Sequence, residues 1–154
     1  MKIIDPRSFL CLTAIADRIA KRDGLHCNTQ GRGLSAFDTE IRRRIWWQTV
    51  LLDSRAVEMS GAGTPILSYA WNAKLPLNIN ESELSPEANS LPQEHDCATD
   101  MIFCLVRCEI AKFLRQIRAK KGLEEGWTEF SNPSISVSEK LEAIDTFEEH
   151  LQAR

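Results

Sequence analysis

At 154 residues, with 43% apolar and 27% charged side chains, the chain has the size and composition of one folded domain with a real core, which argues against wholesale disorder. A formal net charge of −3 argues against a strongly basic nucleic-acid binder, and no apolar run approaches the ~20 residues of a membrane helix. The five cysteines (Cys11, Cys27, Cys97, Cys104, Cys108) are odd in number and scattered, which fits reduced thiols inside the cell better than a disulfide framework. The start, MKIIDPRSF, lacks the apolar segment of a signal peptide.

Asp5 followed by Pro6 pairs a capping residue with proline at a first helical position, so a helix should follow. Phe9, Leu12, Ala16, Ile19 and Ala20 give it one apolar face, with Arg7, Asp17, Arg18, Lys21 and Arg22 toward water, and Gly24 ends it. Asn28 to Leu34, with Gly31 and Gly33, reads as an exposed loop. His26 beside Cys27 invites a metal or acid–base reading. Adjacent helical residues cannot both point at one site, however, and no further ligand is spaced nearby, so a structural role is favoured.

The run Ser35 to Gly61, SAFDTEIRRRIWWQTVLLDSRAVEMSG, predicts a long central helix over about 36–60, capped by Ser35 or Asp38 and ended by Gly61. Ile41, Ile45, Leu52, Ala56 and Met59 form one stripe; Trp46, Val50 and Val57 form a second; Trp47 and Leu51 form a third. Such a helix should be covered on several sides. Arg42, Arg43 and Arg44 could form a phosphate patch or an import signal, but consecutive residues fan over about 200° and make no flat patch. Spacing favours ion pairs of Asp38 with Arg42 and Glu40 with Arg44, and at least one arginine is expected along an indole face.

Pro65, Pro76, Pro86 and Pro92 exclude a long helix after Gly61. Residues 62–84, rich in apolar side chains, read as an ordered strap over the helices, and 85–95 as a mobile acidic link. Asn78 and Asn80 suit turn bonding, whereas Asn78, Asn80, Glu81 and Glu83 lack the register of a calcium loop. A second long helix follows from a Thr99 cap, with Met101, Ile102, Leu105, Val106, Ile110, Phe113, Leu114 and Ile117 as its apolar face and a basic last turn before Gly122. Cys104 and Cys108 share a face of it, yet two ligands without a second pair do not make a zinc site. After a loop at 122–135, Ser136 and Glu139 have capping-box spacing for a last helix with a narrow stripe of Leu141, Ile144, Phe147 and Leu151.

The run Glu40-Ile41-Arg42-Arg43-Arg44-Ile45-Trp46-Trp47, with Asp53 and Gly61 after it, resembles the most recognisable motif of the fungal-specific transcription factor domain. That domain is the regulatory middle region of fungal zinc-cluster transcription factors. Gly24-Leu25-His26 upstream and Pro76 to Leu84 downstream resemble two further motifs in order and spacing, with Glu81 and Glu83 where the family usually has Asp. The resemblance implies an all-α domain around the long helix, with structural roles for Glu40, Arg42, Arg43, Arg44, Trp46, Trp47, Asp53, Gly61, Pro76 and Asn78. It implies a partial domain, with the main part at 1–121 and a loop and truncated C-terminal helix at 122–154.

No Cys-x-x-Cys occurs, so the six-cysteine cluster that reads DNA in the family is missing; zinc would belong to that missing domain, and no cofactor is expected in this chain. The resemblance therefore implies a nuclear, non-enzymatic regulatory module. It would act on protein partners of the transcription machinery, a full-length relative or a small-molecule effector, without specific DNA binding and without a membrane. A small-molecule binding module remains the second reading. An enzyme is third, because no phosphate loop, Gly-x-Ser-x-Gly elbow or paired metal ligands link the three histidines, His26, His95 and His150, to the cysteines.

Overall fold

A computed structural model of the protein describes residues 5–29, 32–61, 71–121 and 135–152. Helix α1 runs Pro6–Arg22. The Asp5 carboxylate accepts from the Ser8 amide at 3.0 Å, and Pro6 takes a position whose N–H would have no partner. At the other end Gly24 adopts φ 70°, which lets Leu25 N–H reach the Ala20 carbonyl at 2.9 Å and Gly24 N–H reach that of Lys21 at 3.0 Å. These two bonds satisfy carbonyls the helix leaves open.

Helix α2, Ala36–Ser60, starts where Ser35 Oγ accepts from the Asp38 amide at 2.9 Å. It stops at Gly61, left-handed at φ 63°, where a side chain would be strained.

Helix α1 packs on α2, though not through the face its apolar spacing predicts. Its buried residues are Thr13, Asp17 and Ala20, while Leu12 (54% exposed), Ile15 and Ile19 face outward. On α2, Asp53 is buried and its Oδ1 accepts from Thr13 Oγ at 3.1 Å. A buried carboxylate needs donors, and with Thr13 turned to α2 the neighbouring Leu12, about 100° round the helix, lies on the open side. Asp17, expected toward water, is buried and paired with Lys21 Nζ at 2.8 Å.

The long helix is likewise covered on fewer sides than its stripes suggest. Trp46, Trp47, Val50, Leu51 and Ala56 are buried, whereas Ile45 (48% exposed), Leu52 and Met59 lie on an open side. The described part of the strap, from Trp71, supplies the cover on the tryptophan side. Trp71 meets Trp47 edge-on at 5.0 Å and Trp46 at 5.8 Å, and Ala73, Pro76 and Ile79 are buried after it. Residues 62–70 of the expected strap lie outside the described residues.

Helix α3 spans Ile102–Lys121. Thr99 Oγ accepts from the Met101 amide at 3.2 Å ahead of it, and Met101, Leu105 and Cys108 are buried at helical spacing. Ile102, Val106 and Ile110, expected on the same face, are exposed, as is Phe103 at 73%. Helix α4, Val137–Gln152, begins with a reciprocal cap: Glu139 N–H donates to Ser136 Oγ at 3.2 Å and Ser136 N–H to Glu139 Oε2 at 2.9 Å. The loop at 122–134 and the side chains of Leu114 and Ile117 lie outside the described residues.

The fold is all-α. Among the described residues there are four α-helices, a single 3₁₀ turn at Glu81–Glu83 and no β-strand. Two compact units divide the chain, Met1–Cys108 and Glu109–Arg154. Within the second, the Phe113 and Phe147 rings stack at 4.5 Å. Among the described residues, no helix is long and apolar enough to cross a membrane.

Candidate functional site

Glu40 has no exposed surface, and everything near it is arranged round that fact. Helical spacing brings Arg44 back onto it, with Nε donating to Glu40 Oε1 at 3.0 Å. The same oxygen accepts from the Leu77 backbone N–H at 3.0 Å, and Oε2 receives a longer contact, 3.5 Å, from Arg43. Burial raises the Glu40 pKa above the usual carboxylate range, and the Arg44 and Leu77 bonds together with the arginine charges offset only part of that. Arg44 also donates to Glu81 Oε1 at 2.7 Å, so one guanidinium joins α2 to the strap through two carboxylates. Trp47 adds a third tie by donating its indole N–H to the Lys74 carbonyl at 2.9 Å.

Arg42 points elsewhere. It donates to the Asp23 carbonyl at the end of α1, and Asp38, its expected partner, accepts from Ser35 Oγ at 2.8 Å. The cap competes for the same carboxylate, and spacing alone does not weigh that competition. Trp46 is wholly buried, with the His26 ring at 5.9 Å and Trp71 on it. Asp53 sits with Thr13 and Gly61 ends α2, so neither belongs to the Glu40 cluster.

Asn78 fastens the strap to the segment after it. Its amide Nδ2 donates to the His95 carbonyl at 2.7 Å and the Cys97 carbonyl at 2.9 Å, and its Oδ1 accepts from Thr99 Oγ at 2.7 Å. Its backbone N–H donates to Glu94, and its carbonyl accepts the His95 N–H. The expected mobile link at 85–95 is therefore tied down at its far end. Glu83 Oε2 accepts from the Asn80 N–H at 2.7 Å, and the carboxylate meets His95 Nε2 at 2.8 Å through Oε1. The Asn80 amide first, and the His95 ring after it, hold the Glu83 carboxyl below its ordinary range. These oxygens are spent on amides, an imidazole and a guanidinium rather than turned toward a common centre.

Cys27 and His26 do meet, contrary to the premise that neighbours in a helix cannot point at one site. Cys27 Sγ lies 3.3 Å from His26 Nε2, because the chain has left the helix at Gly24 and turn geometry lets neighbouring side chains meet. The His26 carbonyl accepts from the amides of Asn72 and Ala73, a tie between the α1 exit and the strap. Cys104 and Cys108 place their sulfurs 4.0 Å apart. Among the described residues, no group of three or more His, Cys, Asp or Glu side chains could hold a metal ion.

No family model matches the chain, and no solved structure matches it. Curated proteins do. It is 38% identical over 132 residues to the transcriptional regulator AacuB of Aspergillus aculeatus, which covers 86% of this chain and 17% of that protein. It is 33% identical over 144 residues to the aurofusarin cluster transcription factor aurR2 of Gibberella zeae, covering 93% of this chain and 21% of that protein. C6 finger domain transcription factors of Aspergillus fumigatus and Aspergillus niger are also similar to it.

The chain is a homologue of these fungal transcription regulators. It spans about a fifth of the length of the first two. A match of 132 residues in a chain of 154 necessarily includes α2, so the homology to the fungal regulators takes in the Glu40 cluster and both tryptophans. Sequence reading found Glu40 and Arg44 through their spacing. It missed the Arg44 to Glu81 bridge and the Thr13 to Asp53 bond, which join residues 37 and 40 positions apart and leave no periodic trace.

Proposed function

We propose that this chain is a transcription-regulatory module that acts through contacts with a protein partner of the transcription machinery, a full-length relative or a small effector, and does not itself read DNA sequence. The observation that carries the reading is its homology to named fungal transcription regulators across most of its own length. Those relatives are named as regulators and not as enzymes, which favours a non-enzymatic role in the nucleus. Two arginines of the triplet support the same reading: Arg44 is drawn toward Glu40 and Glu81, and Arg42 toward a carbonyl. Cations committed to internal partners are poor phosphate ligands. Zinc and the DNA contacts it supports belong, on this reading, to the C6 finger of longer relatives.

The test is a tethered reporter. Fused to an unrelated DNA-binding domain in a fungal cell, the chain should change transcription from that domain's operator, and a tagged chain alone should accumulate in the nucleus. A fusion that is expressed and folded, yet leaves the reporter unchanged both alone and with a full-length relative co-expressed, would refute the proposal.

A further inference from the structure

A cleft of about 400 Å³ opens beside the first turns of α2, between that helix, the chain around Asn28 and Leu34, and the turn at 89–91. Arg43 and Lys74 both line it, and among the described residues no acidic side chain does. Arg43 is the unusual member. Its side chain is only 11% exposed, yet its one hydrogen bond among the described residues is the 3.5 Å contact to Glu40, at the limit of such bonds. Among the described residues its other guanidinium N–H groups have no hydrogen-bond partner, and Arg43 lines the cleft. Lys74 makes no ion pair among the described residues and is exposed.

A guanidinium sunk in a concave wall, with unspent donors and a second cation on the same wall, favours an anion that can take two parallel N–H bonds. Thr29, buried, and Thr39 add hydroxyls, while Leu34 and Leu91 offer apolar surface for the rest of a ligand. The volume suits a small molecule and not a macromolecular segment. We propose that this cleft binds a small organic carboxylate, its anion met by Arg43 and Lys74 and its apolar body laid on Leu34 and Leu91. The proposal gives the effector of the regulatory reading a chemistry, and it rests on that reading for its cellular consequence only.

The test uses 2-naphthoate and 2-naphthamide, alike in shape and differing by one negative charge, titrated into the ¹⁵N-labelled chain and followed by amide shifts. Naphthoate should bind at least about tenfold more tightly than the amide and should move the amides of Asn28, Thr39 and Arg43. Arg43→Gln should abolish the preference. Because Arg43 touches the Glu40 cluster and its loss could disturb folding, Lys74→Gln is the cleaner variant, and it should weaken naphthoate by about tenfold and leave the amide unchanged. Equal affinity for the two probes, no binding of naphthoate up to about 10 mM, or an unchanged affinity in Lys74→Gln would each overturn the proposal. Binding is read on the purified chain and regulation in the tethered reporter, so failure of either is distinguishable from failure of the other.

Discussion

Burying a carboxylate costs several kcal/mol unless its oxygens are satisfied, and Glu40 is satisfied by a guanidinium, a backbone amide and a weaker second guanidinium. Its pKa is raised because burial outweighs what the Arg44 and Leu77 bonds and the arginine charges return, so the fold favours the charged form less than water does. Glu40→Gln, which keeps a carbonyl oxygen for Arg44 and Leu77, should therefore cost less than about 1.5 kcal/mol. Glu40→Ala should cost about 3–5 kcal/mol, because it strands the Arg44 and Leu77 donors beside a void. Chemical denaturation of the two variants checks this, and equal losses would mean that charge, not hydrogen bonding, holds the cluster. Trp46 and Trp47, at 0% and 1% exposure, lead to a second expectation: each alanine substitution should lower stability by about 3–5 kcal/mol. Unchanged unfolding midpoints in both would place the pair on a surface instead of in the core. Glu40 with Arg44 was legible from a spacing of four; Asp38 with Arg42 was not, since Ser35 takes the Asp38 carboxylate at the cap.

Helix starts and stops are local events, and the sequence carried them in Asp5-Pro6, Ser35, Gly61 and Ser136 to Glu139. Which face of a helix packs is not local. On α1 the packed side is the one that carries Thr13 and Asp17, with Thr13 bonded to Asp53, while Leu12 and Ile19 are exposed, and periodicity alone cannot foresee a partner on another helix. The part of the strap from Trp71 on was legible as a packed element without a long helix, though Asn78 as the fastener of residues 94–99 was not, because its side-chain amide bonds backbone carbonyls. The Glu81–Glu83 turn in this strap carries a pH dependence. The folded Glu83 carboxyl is depressed, so its contribution is fully present above the ordinary carboxylate pKa and is lost as pH falls through the depressed folded value. Amide shifts of Asn80 and His95 should therefore move together below the ordinary glutamate range, and Glu83→Gln should remove that titration. Shifts of Asn80 that follow an ordinary carboxylate pKa would contradict the clasp.

At the scale of the whole molecule the question is whether any surface could hold DNA for itself. The net charge is −3, and although residues 1–77 carry 11 Lys and Arg against 7 Asp and Glu, the arginine triplet among them forms no flat basic patch. Of the three consecutive arginines, Arg44 spans two carboxylates, Arg43 lies against a third contact on Glu40, and Arg42 closes on the end of α1. Residues 78–154 oppose phosphate outright, with 15 acidic against 8 basic side chains. No described cluster could hold the metal that places a zinc-stabilised helix in the major groove. The chain should therefore bind duplex DNA no better than the non-specific level, roughly 10⁻⁴ to 10⁻⁶ M or weaker at physiological salt, with no sequence preference. An anisotropy titration over random and promoter fragments measures this directly, and repeating it at two salt concentrations separates counterion release from base readout, since only the former follows the salt slope. Nanomolar binding to one sequence that survives excess competitor would show that the chain reads DNA by a surface not apparent in its arginines. Weak binding would route any effect on transcription through a protein, a small anion or competition with longer relatives.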